Sequence, residues 1–301
     1  MSESTSGLRR QIASATDLQS VVRTMRALAA SNIGRYERAV AALSWYDQTI
    51  ELGLGVCLRA EFEVDAAATH PDGMCRVGRE TVGAIVFGSD QGLVGPFNDT
   101  IAEHLIAVLK GMSRPAAVWA VGERVATRLA EAGIPVIETY AVPTSVDAID
   151  TLVDRLQVDV ETHPSQLAEP HLLVFHNRPI SGALYEPIHE TLLPLDAVWL
   201  AAMTRKPWPT ATLPQVVGDG GATLRALVRE YLFVSLYRAC AESLASENAS
   251  RLAAMQRADK SIDELLDTLR GSFARLRQGA IDAELFDVTA GYEALAMPAG
   301  A

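Results

Sequence analysis

Apolar residues fall into three regimes along the chain. From about Leu8 to Val56 they recur at alternating three- and four-residue steps, at Leu18, Val22, Met25, Ala29, Ile33, Tyr36, Val40 and Leu43. That spacing draws one stripe along a helix with a coiled-coil period. No proline precedes Pro71, and Gly53 with Gly55 marks the expected end of the helix. Gly34 lies inside it and costs about 1 kcal/mol relative to alanine.

The middle, about Val82 to Leu195, changes character. VGAIVFG, AAVWAVG, IPVIETYAV and HLLVFHN are short β-rich runs, and NDTIAEHLIAVLKGM, ERVATRLAEAG and VDAIDTLVDRLQVDVE between them carry helical periodicity. Strands alternating with helices predict a parallel sheet with crossover helices. LYEPIHETLLPL is expected to add an edge strand, where Pro187 is tolerated. The stretch from Asp196 to Gly221, with Pro207, Pro209 and Pro214, is expected to be a linker.

The third regime, about Ala222 to Leu295, contains no proline. As one helix it would be on the order of 110 Å long, wider than any single globular domain of this size. Leu252, Met255, Ile262, Leu266, Leu269, Phe273 and Leu276 form a heptad-like seam that Asp259 interrupts. The first helix is the natural partner, which predicts antiparallel pairing of the chain ends around an inserted α/β domain. That partner is shorter, so one end of the long helix must emerge uncovered. Near that end Gly279, Ala280, Ile281, Ala283, Leu285, Phe286, Val288 and Ala290 are apolar on nearly every side. Such a helix needs burial all round, and the chain has nothing left to supply it. A partner must surround the tip.

Composition narrows the function. The 301 residues include 37 Asp and Glu against 26 Lys and Arg, a net charge of −11, which argues against nonspecific nucleic-acid binding. No run is long and apolar enough for a membrane helix. Cys57, Cys75 and Cys240 are too few and scattered for a disulfide scaffold, and MSESTSGLRR lacks the apolar core of a secretory signal, so a cytosolic setting is expected. Aromatics are sparse at 6%, which favours long helices over a thick core.

Candidate chemistry is thin. SDQGLVGPFN lies after a strand and before a helix, where phosphate loops sit, but it lacks the G-K-[ST] ending and Asp90 would repel a phosphate. A tight turn with Asn98 or Asp99 as helix N-cap is the expectation. The glycines match no dinucleotide fingerprint. His171 and His176 face opposite sides of one strand, and His70, His104, His163 and His189 are scattered, so no metal or cofactor is expected.

Three blocks resemble a known family. LQSVVRTMRALAASN (18–32) is similar to a family helix reading TQKITKAMxMVAASK, and SDQGLVGPFN (89–98) to SDrGLCGgfN. ESLASENASRLAAMQRADKSIDELL with RLRQGAIDAE is similar to ESxASExxARMxAMxxATxNAxxxI with RxRQxxITxE. The family is the gamma subunit of F-type ATP synthases, the central rotor stalk. Departures are Val94 for Cys, Pro96 for Gly, Asn32 for Lys, Asp282 for Thr, and Ser261 and Ile262 in place of Asn and Ala. They mark a divergent member, of a standard or an alternative ion-pumping complex.

The resemblance implies an antiparallel coiled coil with an inserted Rossmann-like α/β domain: residues 1–58 and 219–297 as the shaft, 80–205 as the foot. It implies no catalysis on this chain and no cofactor. The shaft would turn inside a hexamer of alpha and beta subunits, in a complex that moves H+ or Na+. The foot would meet the c-ring and the epsilon subunit at the cytoplasmic face of a bacterial inner membrane, without a span of its own. Met25, Arg277, Gln278 and Glu284 match hexamer-contact positions, and Ser89, Asp90, Gly92, Gly95 and Asn98 match a turn of the foot near the c-ring. A rotor facing acidic levers would be expected to be more basic than −11. Two other classes stay open: a small-molecule α/β enzyme with helical arms, and a gamma-like assembly paralogue.

Overall fold

The computed structural model describes residues 5–65, 81–112, 114–162, 171–180, 184–195, 197–212 and 214–296. His70, Cys75 and His163 lie outside the described residues. The chain divides into two compact units, residues 29–251 and residues 1–28 with 252–301. Two helices run through both: α1, Thr5–Asp65, and α6, Gly220–Ala296.

In α1 the buried residues Leu8, Ala15, Val22, Ala29, Tyr36, Ile50 and Cys57 share one seven-residue register, with half-buried Leu43 on the same stripe, and Gln19, Leu54, Gly55 and Leu58 are buried beside it. A strict heptad keeps one face turned to a partner helix. Val22, Ala29 and Tyr36 are therefore seam residues as expected, whereas Leu18 is 54% exposed and Gln19 takes the buried place. Gly53 and Gly55 do not end the helix. They let it pass close to its neighbours: a Cβ on Gly55 would lie 2.6 Å from the Met203 carbonyl oxygen, and one on Gly53 3.3 Å from Leu227.

The unit 29–251 holds the sheet. Its strands are β1 (Val82–Phe87), β2 (Ala116–Val121), β3 (Val136–Tyr140), β4 (His171–Ile180) and β5 (Leu184–Leu193), in the order β3-β2-β1-β4-β5. The first four are parallel, and β5 pairs antiparallel with β4, with Pro187 opposite Asn177 on the edge. A missing N–H is harmless there.

Alternate strand residues serve two cores. Ile85, Phe87, Trp119, Val121, Leu172 and Val174 pack with helix α4 (Asp147–Thr162), Tyr36 of α1 and the Leu236–Ala245 stretch of α6. Ala84, Val86, Val118, Ala120, Leu173 and Phe175 pack with α2 (Phe97–Met112) and α3 (Glu123–Glu131) on the opposite face. Fully burying one such side chain contributes about 1.5–3 kcal/mol. α1 and α6 thus form part of the layer that covers the sheet.

The expected linker contains a helix, α5 (Ala197–Arg205). Trp199 on it packs against Tyr231, ring centroids 4.9 Å apart and tilted by 49°, beside Ile50, Leu54 and Leu227. The three prolines follow α5 rather than lie within it. Ion pairs Lys206–Glu51 and Arg238–Asp47 flank this cluster, and Tyr46 donates 2.7 Å to Glu230.

In the unit formed by 1–28 and 252–301, Ala15 and Val22 pack with Met255, Ile262 and Leu266. Asp259 does not break this seam. It is only 8% exposed and sits inside it, paired with α1.

Two glycine substitutions separate propensity from packing. Gly34→Ala, with nothing within 4 Å of the new methyl, should raise the urea-unfolding free energy by about 0.5–1 kcal/mol. Gly55→Ala should lower it by about 1–3 kcal/mol through the clash with α5.

Candidate partner-binding surfaces

β1 ends against a turn that consumes its own polar groups. Ser89 is fully buried; its N–H donates 2.9 Å to Asn98 Oδ1, and its hydroxyl donates to the Gln91 carbonyl and accepts from Asn98 Nδ2. Asn98 is therefore no helix cap: it lies in the first turn of α2 and ties that turn back to the loop. The missed signal is Asp90. One carboxylate oxygen accepts from the Glu123 N–H at 3.0 Å, at the start of α3, and the other from the Val142 N–H at 2.8 Å. A single acid thus bridges two neighbouring loops, and the charge that spoke against phosphate has a structural use.

Backbone geometry closes the site. Gly122 adopts φ 111°, and a Cβ there would come within 2.7 Å of the Ser89 nitrogen. Gly95 and Leu93 are left-handed at φ 58° and 63°. A leucine in that region carries roughly 1–2 kcal/mol of strain. Leu93 is 61% exposed, while Val94 beside it is buried, and its carbonyl accepts 2.5 Å from Ser250 Oγ on α6. Gly92 has room for a side chain, since a Cβ there would lie 3.7 Å from the Arg124 guanidinium. Four of the five turn residues named from the sequence lie in this loop and Asn98 lies in the first turn of α2, and Ser89, Asp90 and Asn98 hold the turn in place.

Further polar bonds fasten the sheet to α6. Ser246 donates 2.9 Å to the Asn177 carbonyl, and Asn177 Nδ2 donates 3.0 Å to the Phe97 carbonyl. His176, on 1% exposure, lies 2.9 Å from Glu242, which Arg178 also contacts at 3.2 Å. Burial opposes ionisation of Glu242, but His176 and Arg178 outweigh it and hold its carboxyl below the usual range. Burial pushes the neighbouring Glu247 up, against the pull of Arg251 at 2.6 Å. Glu247 and Arg251 border a cleft of about 210 Å³ that Tyr36 and Asp90 also line.

Two histidines that look scattered in the sequence meet. His104 Nε2 of α2 lies 3.0 Å from His189 Nδ1 of β5, and both rings contact Phe175. Burial, and then His189, depress the His104 pKa.

The residues matched to hexamer contacts separate into two settings. Met25 is half-buried and packs on the Val22–Met255–Ile262 seam. Arg277, Gln278 and Glu284 are exposed, and Gln278 donates 3.2 Å to Asp282 on its own helix. Every described residue from 274 to 290 is exposed. Leu285, Phe286 and Val288 reach 64%, 72% and 72%, too much apolar surface for a helix facing water. Leu276 belongs with these exposed residues rather than with the seam.

The sequence matches the ATP synthase family over residues 4–295. The chain belongs to the ATP synthase gamma family. Solved rotor chains share the fold of this family member. The central stalk of the Tetrahymena thermophila mitochondrial ATP synthase is 18% identical, covering 79% of this chain and 99% of that one, with a TM-score of 0.55. Two structures of the Euglena gracilis mitochondrial enzyme are 13% and 14% identical, with TM-scores of 0.58 and 0.59. They cover 92% and 97% of this chain and 98% and 94% of theirs. Membership gives the chain the central-stalk role in a rotary ATP synthase, the first of the three readings open from sequence. Among the described residues, no helix is long and apolar enough to cross a membrane.

Asp90→Ala leaves two backbone N–H groups without their acceptor and should cost about 1–2 kcal/mol in urea unfolding. The histidine pair predicts a pH dependence. With its folded pKa depressed, His104 contributes stability that is complete above about pH 6.5 and is lost as pH falls through the folded value. His104→Gln should therefore flatten the fall in urea midpoint on the acid side of about pH 6.5.

Proposed function

We propose that α1 and α6 form the turning shaft of the complex and carry no catalysis of their own. The exposed apolar end of α6 is the observation that carries this reading. Leu285, Phe286 and Val288 would each gain about 1.5–3 kcal/mol from burial, and a sleeve of alpha and beta subunits supplies burial on all sides while letting a smooth helix rotate. Arg277, just before that end, has a guanidinium able to grip a carboxylate or a row of carbonyls on one beta subunit at a time. Gln278 and Glu284 extend the same polar collar. Met25 takes part indirectly, by fixing the spacing of the two helices beneath the contact surface.

The sheet unit serves as the foot, against the c-ring and the epsilon subunit, on the cytoplasmic face of a bacterial inner membrane. In this arrangement Ser89, Asp90 and Asn98 are positioning groups, because their polar atoms are already engaged. Gln91, Leu93 and Gly95 remain as the outward face of the turn. Rotation then works as differential contact: each beta subunit meets a different face of an asymmetric helix pair in turn, and its open and closed states are stabilised in sequence.

The test is reconstitution with the alpha and beta subunits and the membrane sector. Arg277→Ala should lower ATPase turnover by about tenfold, the scale of one charge-assisted bond; wild-type turnover would remove Arg277 from the contact set. Truncation after Gly279 should weaken ATP-driven ion pumping more than hydrolysis, with the sheet unit still folded. Unchanged coupling after truncation would count against the sleeve.

A further inference from the structure

Asp259 is an acid in an otherwise apolar seam. It lies between Met255 and Ile262, both of them buried residues of the cluster that holds Ala15 and Val22. Three side chains of α1 converge on its carboxylate. Arg23 Nε donates to Oδ1 at 3.2 Å, Gln19 Nε2 reaches the same oxygen at 3.3 Å, and Arg26 Nη1 donates to Oδ2 at 2.7 Å. Gln19, itself 7% exposed, also donates to Asp263, and Arg23 comes within 3.8 Å of that second acid. Both oxygens of the buried acid are thus used, and every donor comes from the opposing helix.

Apolar layers alone fix such a pair poorly along its axis. Sliding α1 by one heptad replaces Ala15 by Leu8 or Val22 and keeps the seam apolar. The polar layer does not survive the slide. Moved by seven residues in one direction, the positions of Gln19, Val22, Arg23 and Arg26 are filled by Ile12, Ala15, Thr16 and Gln19. Moved in the other direction they are filled by Arg26, Ala29, Ala30 and Ile33. In either case one long donor remains where three had been, and a buried carboxylate loses most of its partners. Breaking a buried ion pair in this way is strongly unfavourable, and a single polar layer is the best attested device for fixing coiled-coil register.

We infer that Asp259, held by Gln19, Arg23 and Arg26, locks the axial register of α1 against α6 so that the two helices turn as one body. The lock follows from the geometry of the pair, while its use in transmitting torque rests on the rotor role proposed above.

Register is read directly by cross-linking. Arg9 lies over the ring of Phe273 at 5.3 Å, so cysteines at these positions report the native register. Cysteines at Arg9 and Ala280 report a one-heptad slip. With Asp259 intact, a short thiol-specific bridge should join the first pair and not the second, as located by peptide mapping of the full chain. In Asp259→Leu, which fills the seam with an apolar side chain, the second pair should rise by about tenfold while the thermal midpoint holds or increases. Asp259→Asn keeps the volume and gives the same readout should the leucine variant fold poorly. A single native register in both variants overturns the lock. In the reconstituted complex the slipping variant should pump fewer ions per ATP than wild type. Slip with unchanged coupling overturns the transmission role. The wild-type chain in the same preparation separates either result from a failure of the rotor reading itself.

Discussion

The seven-residue burial period of α1 is the constraint on which the rest of the structure depends. A helix that repeats its apolar face every seven residues from Leu8 to Cys57 cannot satisfy that face locally. It requires a second helix of comparable length, and α6 is the one available. Within the sheet-bearing unit the two helices then join α4 in covering one face of the β-layer, through Tyr36, Leu236, Cys240 and Leu244. Without α6 as a backing, Ile85, Trp119 and Val174 would lose much of their cover on that side.

Much of this was legible in the residues. Strand and helix alternation between Val82 and Leu195 is visible because each strand is a short β-branched run and each helix keeps its own apolar face. β5 was legible from Pro187, which only an edge tolerates. Apolar residues alone draw the seam of α1 through Leu18, whereas the buried place belongs to Gln19. The true second stripe includes Gln19, Arg26 and Asp47, which are polar but paired with Asp259 and Arg238. Periodicity of hydrophobicity cannot see a position whose burial is made tolerable by a charge on another helix. The exact spacing of Ala15, Val22, Ala29 and Tyr36 was the signal that could have corrected it.

Glycine misled in the same manner. Gly53 and Gly55 look like helix ends, because small residues commonly terminate helices, yet here their missing side chains make room for Leu227 and Met203. Local propensity is a weak guide when the residue is chosen for what approaches it from outside the helix. The turn at Ser89 to Asn98 shows the reverse case. Its place between strand and helix was legible, but the tasks of Asp90 and Asn98 were not, since Asp90 serves Glu123 and Val142, residues distant in sequence. The encounter of His104 with His189 was hidden for the same reason: it depends on β5 returning antiparallel beside β4.

The polar interior of α6 between Glu242 and Ser250 has a mechanical consequence. Greasy surfaces hold two bodies together but resist sliding and rolling weakly, because one apolar contact can be exchanged for another. Hydrogen bonds are directional and fail over a fraction of an ångström or a few tens of degrees. Ser246 to Asn177, Ser250 to Val94 and Glu242 to His176 all lie on one side of the helix. A roll of α6 by a single residue position, about 100°, would break all three together. The sheet is keyed to the helix as a gear is splined to its axle, and a twist applied to one arrives at the other without backlash.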